Sequence, residues 1–159
     1  MAARRIPSKT ARAQSATPRP FLALVAHATS LTELLPQLHC HALEETGGSC
    51  SVLFEHDAPS GALQATSAYG LDELPPEPWI PAAADADLLS DTFSRATPTL
   101  IPNAAGQVPE LSALLGSAAV LLLPLFRNGD RMGLLAIGVT GARATAGSCM
   151  TDLADAFVL

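Results

Sequence analysis

The densest cluster of reactive side chains in this sequence is His39-Cys40-His41. Imidazole and thiolate are both zinc ligands, and a thiol beside an imidazole is a common nucleophile pair. The spacing argues against either use. Consecutive helical residues point about 100° apart, so three in a row do not converge on one metal or substrate atom. His39 and His41 flank an apolar stripe of Leu35, Leu38 and Ala42, and the spacing reads them as helix-surface residues. The remaining cysteines, Cys50 and Cys149, are widely spaced and bring the total to three. An odd count at such spacings is neither a disulfide framework nor a zinc pattern, and reduced thiols fit a cytoplasmic chain. Cys50 alternates with Val52 and Phe54 on an apolar strand face, where a free thiol behaves as a small hydrophobe. No Ser/His/Asp constellation has a supporting motif, no glycine-rich phosphate loop occurs, and no catalytic or metal-ligating residue is assigned.

The elements that must position these residues follow from periodicity. Ser30-Leu31-Thr32-Glu33 matches a capping box, and Leu31, Leu34, Leu35, Leu38 and Ala42 recur at helical spacing until Gly47-Gly48. Pro36 removes one internal hydrogen bond from that helix. Cys50, Val52 and Phe54 define one strand; Leu63, Ala65, Ser67 and Tyr69 define a second on a shared face, after a turn at residues 56–61. A proline-rich loop, 71–83, surrounds Trp79. Asp85 is expected to cap a helix with Leu88, Leu89, Thr92, Phe93 and Ala96 inward and Pro98 at its end. Thr99-Leu100-Ile101 is a short strand, and Pro109 opens a short helix that Gly116 ends.

The stretch "VLLLPLFRNGDRMGLLAIGV", residues 120–139, is apolar enough to suggest a membrane span. The longest uncharged run, Leu111 to Phe126, has only sixteen residues and contains Gly116 and Pro124. Extending it would bury Arg127, Asp130 and Arg131 at roughly 2.5–3.5 kcal/mol each. Asn128-Gly129 instead predicts a tight turn between two central strands, 118–126 and 132–139. A last helix, capped by Ser148 or Thr151, carries Leu153, Phe157 and Leu159. The order predicts an α+β domain with an antiparallel central sheet of about five to six strands and helices on its faces.

Charge divides the chain unevenly. Residues 1–20 hold Arg4, Arg5, Lys9, Arg12 and Arg19 without an acid, and read as a disordered basic tail. The remainder sets four arginines against all fifteen acids, a charge of −11. Such an acidic body excludes the usual nucleic-acid partners and disfavours phosphorylated ligands. Residues 21–28 imitate a signal peptide, but the apolar run is only eight residues long and starts against Pro20.

Four stretches together resemble the GAF domain family: "LTELLPQLHCHALEETGGSCSVLFEHDAPSGAL", "ATSAYGLDEL", "LLSDTFSRATPTLIPNAAG" and "LLLPLFRNGDRMGLLAIGV". The likeness runs from about Leu31 to the end, with 21–159 as the GAF-like (GAF/PAS-like) domain. It implies a non-enzymatic sensory or regulatory module of bacterial signal transduction. Such modules bind a small ligand between sheet and helices, or dimerise through terminal helices, and signal to an output domain or partner. Residues 148–159 would begin the coupling helix. The resemblance makes Tyr69, Trp79, Phe93 and Ile101 the candidate pocket lining, with core filling as the alternative use of the same side chains.

Cofactor chemistry known in the family finds little purchase here. Residues 84–117 contain no cysteine for a covalent bilin, and Cys40-His41 lies on the wrong helix. Nothing selects a haem ligand among His27, His39, His41 and His56, so the cofactor is left unknown. The cyclic-nucleotide signature is missing, and the sole lysine is Lys9. Free-standing relatives reduce methionine sulfoxide with thiols expected around Thr92 to Asn103, which hold none here. That reductase and a degenerate dimerisation module are the alternatives.

Overall fold

The computed structural model describes residues 31–71, 79–127 and 130–140. The basic tail, the Asn128-Gly129 turn, Ser30 of the capping box and the final helix lie outside the described residues.

Helix α1, Leu31–Thr46, leads into strand β1, Gly48–Asp57, and β2, Ala62–Tyr69. The β1–β2 turn is closed by Asp57, whose carboxylate accepts from the Ser60 amide at 3.3 Å, and by Gly61 at φ 69°. Helix α2, Ala83–Arg95, is followed by β3, Thr99–Ile101, and by two short helices, α3 (Ala104–Gln107) and α4 (Pro109–Leu115). Strands β4, Ala119–Arg127, and β5, Asp130–Val139, complete the order. The five strands form one sheet in the order β2-β1-β5-β4-β3, every pair antiparallel.

The near-continuous apolar character of β4 and β5 has a direct cause, because both faces of these central strands are buried. Val120, Leu122, Leu134 and Ala136 enter the core beneath α2, α3 and α4. Leu121, Leu123, Leu125, Leu135, Ile137 and Val139 enter a second core on the opposite face, shared with Ala42 of α1. The strands run close together at Gly133, where a Cβ would overlap the Phe54 carbonyl oxygen of β1. Only glycine permits that approach.

Two expectations need correction. Asp85 does not cap its own helix. The N-cap of α2 is Ala82, without a side-chain hydrogen bond, and Asp85 lies three residues into the element. Helix α2 also stops at Arg95, before Pro98. Ala96 takes the left-handed conformation, φ 59°, and is exposed, where an inward position was expected. The short α3 was not anticipated; no cap or long apolar stripe marks its four residues.

Candidate functional site

The sheet presents two very different faces. Strand β2 explains how the predicted site residues divide between them. Leu53 pairs with Ser67, but Phe54 pairs with Ala65, so Thr66 is an extra residue on β2. One inserted residue reverses the facing of everything beyond it. Leu63 and Ala65 therefore join Phe54 beneath α2, whereas Ser67 and Tyr69 turn toward α1. The alternation read from the sequence assumed one face for all four.

Phe93 and Ile101 belong to the core beneath α2–α4, with Phe54, Leu89, Val108 and Leu111, and the half-buried Trp79 packs against the same cluster. Trp79 is fixed by its backbone: its carbonyl accepts from the Ala65 amide at 3.0 Å. Its ring lies 5.7 Å from that of Phe54. Phe93 is flanked by His56 at 5.0 Å and by the Arg131 guanidinium at 5.9 Å from its centroid. Tyr69 stands apart from these three, 40% exposed on the other face.

There Tyr69 stacks on His39, with ring centroids 6.4 Å apart and planes inclined by 12°. His39 is not a helix-surface residue: it is 1% exposed. Its Nδ1 lies 2.6 Å from the Ser51 hydroxyl and its Nε2 2.9 Å from the Ser67 hydroxyl. A neutral imidazole donates from one nitrogen and accepts at the other, and serine hydroxyls take either complementary role. Burial lowers the His39 pKa from 6.5 to about 4, so the ring is neutral at pH 7. Such a ring is a poor general base, and Ser51 is fully buried. The cluster pins α1 onto β1 and β2. The neighbouring Cys40 thiol, in hydrogen-bond contact with the phenol, raises the Tyr69 pKa above its ordinary value.

Sequence reasoning missed His39 by treating it as flanking the stripe. Leu35, Leu38, His39 and Ala42 have the spacing of one continuous helical face. Ser51, polar on the strand face toward that helix and set between the apolar Cys50 and Val52, was the complementary signal; Ser67 reaches the same face only through the extra residue at Thr66.

The two described thiols do not meet. Cys40 is half-buried on α1, whereas Cys50 is buried in the opposite core and donates to the Leu115 carbonyl at 3.0 Å. Among the described residues no group of three metal-ligating side chains comes together, and no helix is long and apolar enough to cross a membrane.

The second polar feature joins α2 to α4. Asp85 is fully buried, and its Oδ2 accepts from the Leu111 amide in the first turn of α4 at 2.7 Å. In return Glu110 of α4 accepts from the Ala82 amide, the N-cap of α2, at 2.8 Å. Each helix start thus receives a carboxylate from the other, where unpaired amides and the helix dipole favour one. Asp85 Oδ1 is buried without a hydrogen-bond partner among the described residues.

A five-stranded antiparallel sheet in this order, with α1 on one face and α2–α4 on the other, is a GAF-like α+β fold. Solved structures agree over most of the chain. The GAF domain of a phosphoenolpyruvate-protein phosphotransferase from Coxiella burnetii superposes with a TM-score of 0.63 at 20% identity, covering 86% of this chain and 88% of that one. A methyl-accepting chemotaxis protein, residues 122 to 287, gives 0.66 at 15% identity, covering 86% and 92%. The free methionine-R-sulfoxide reductase of Neisseria meningitidis, in complex with its substrate, gives 0.63 at 16% identity, covering 86% and 83%. No family model and no curated protein sequence matches the chain.

Proposed function

We propose that this domain is a non-enzymatic sensory or regulatory module of bacterial signal transduction. It takes a small ligand between the sheet and α2–α4, acts in the cytoplasm, and passes the bound state to an output domain or partner through its terminal helices. The observation that carries this reading is the convergence of Trp79, Phe93 and Ile101 in one apolar cluster beneath α2–α4. Aromatic and aliphatic walls with few polar groups are the usual composition of a ligand site. The chemotaxis and phosphotransferase neighbours support a regulatory role. Tyr69 is not part of this proposed lining.

The separation of Cys40 from Cys50 weighs against the thiol-dependent reductase, which needs an attacking and a resolving thiol side by side. Native mass spectrometry of the protein purified from its cells tests the main reading: a stoichiometric small-molecule adduct is expected. A bare mass, together with a thiol-dependent loss of free methionine sulfoxide that Cys40→Ser or Cys50→Ser abolishes, would replace it with the reductase. Homodimerisation through Thr151 to Leu159 is the second half of the proposal. Deleting those residues should convert a dimer to a monomer by light scattering.

A further inference from the structure

Asp85 holds a carboxylate oxygen that none of the described residues uses. Its Oδ2 is engaged by Leu111, and its Oδ1 has no partner among the described residues although the residue is fully buried. The described surroundings offer it no donor. Pro81, just ahead of the Ala82 cap, is buried and has no N–H; Leu89, one turn further along α2, is buried and apolar. The Ala82 amide is committed to Glu110. The basic side chains described on neighbouring elements are engaged elsewhere: Arg95 pairs with Asp91 at 2.9 Å, and Arg131 lies over Phe93. Phe93 sits eight residues further along α2, about 12 Å from Asp85 at 1.5 Å per residue. A bare buried carboxylate oxygen is costly, and native proteins leave few such atoms unexplained. Leu111, whose amide Oδ2 accepts, and Leu89, one turn further along α2, both belong to the apolar cluster beneath α2–α4, with Val108.

We propose that Asp85 Oδ1 is the seat for the ammonium head of a small organic cation whose apolar body packs against that cluster. The proposal rests on the ligand-binding reading above and names the ligand's chemistry. An ammonium supplies the hydrogen that Oδ1 lacks among the described residues, and the acidic body of the protein raises the local concentration of cations. Ala82, Ala83 and Ala84 are exposed, so the carboxylate lies beneath only one turn of α2.

The probe is 3-methylbutylammonium, with 3-methylbutanoate as its counterpart of opposite charge. Saturable amide shifts at Leu111 and Ser112 in 15N-resolved NMR are expected with the ammonium alone, with a Tm rise of about 2 °C or more near saturation. Asp85→Asn keeps an acceptor for the Leu111 amide but offers a donor in place of Oδ1. It should bind the ammonium at least tenfold more weakly. Equal binding by Asp85→Asn, or equal response to the carboxylate, overturns the proposal. If Asp85→Asn does not fold, the wild-type shifts decide alone: their absence from Leu111 refutes the seat. A native adduct in wild-type protein without ammonium binding sinks this inference and leaves the ligand-binding reading standing. A bare native mass without ammonium binding sinks both.

Discussion

Beneath α1, His39 engages both ring nitrogens, one with Ser51 and one with Ser67. Beneath α2 and α4, Asp85 engages one carboxylate oxygen with Leu111, and the other has no partner among the described residues. Both side chains are buried to the same degree, yet one face closes its polar accounts and the other does not. A satisfied buried network fixes one arrangement of helix on sheet; a half-satisfied one favours whatever supplies the missing partner. The α1 face is thus built as a joint, and the α2–α4 face as a receptor.

The sharpest way to break this contrast is acid. The His39 pKa is depressed, to about 4, whereas the unfolded chain protonates near 6.5. Between those values the unfolded state binds a proton that the native state refuses. Stability is therefore fully present above pH 6.5, falls as pH is lowered, and levels off below about pH 4. The loss from this residue approaches about 3 kcal/mol. Urea unfolding at pH 7 and pH 4.5 should show most of it in the wild type, and a much smaller difference in His39→Asn. An equal pH effect in both proteins would place the titration elsewhere.

Removing one partner tests the joint at neutral pH. Ser51→Ala strands a buried imidazole nitrogen and should cost about 2 kcal/mol, within the roughly 1–3 kcal/mol range for an unsatisfied buried group. Asp85→Asn on the other face is the matched comparison. It preserves an acceptor for Leu111 and replaces the unpartnered oxygen, so its effect on stability should stay within about 1 kcal/mol in either direction. Parallel denaturation curves rank the pair. A larger loss for Asp85→Asn than for Ser51→Ala would mean that the α2–α4 junction, and not the α1 joint, is the fully satisfied network.

How much of this contrast the sequence displays depends on whether a signal is local. The β4–β5 strands, the Pro109 start and Gly116 end of α4, and the α1 stripe all follow from neighbouring residues. The position of Tyr69 does not, because the single extra residue at Thr66 is a property of β1–β2 pairing and leaves no mark on β2 itself. The same holds for Asp85. Its position near a helix start suggested a cap, but its partner lies 26 residues away on a helix whose orientation only the fold sets. His39 was legible in part: its place in the stripe and the inward Ser51 follow from spacing, whereas Ser67, like Tyr69, reaches the α1 face only through the extra residue at Thr66.

The smallest effect concerns the far end of α2, where the receptor face meets solvent. Ala96 adopts φ 59° and donates its N–H to the Thr92 carbonyl, closing the helix in a conformation that crowds an L side chain. The exposed site leaves a substitution nothing to disturb in the core. Ala96→Gly relieves the strain, while the greater freedom of glycine in the unfolded chain offsets part of it. A net gain of up to about 1 kcal/mol is expected by urea denaturation. Because Ala96 is eleven residues from Asp85, that gain should leave ammonium affinity unchanged. A variant that became both more stable and a weaker binder would show that ligand entry depends on the strained end of α2, and that the receptor face extends along the whole helix.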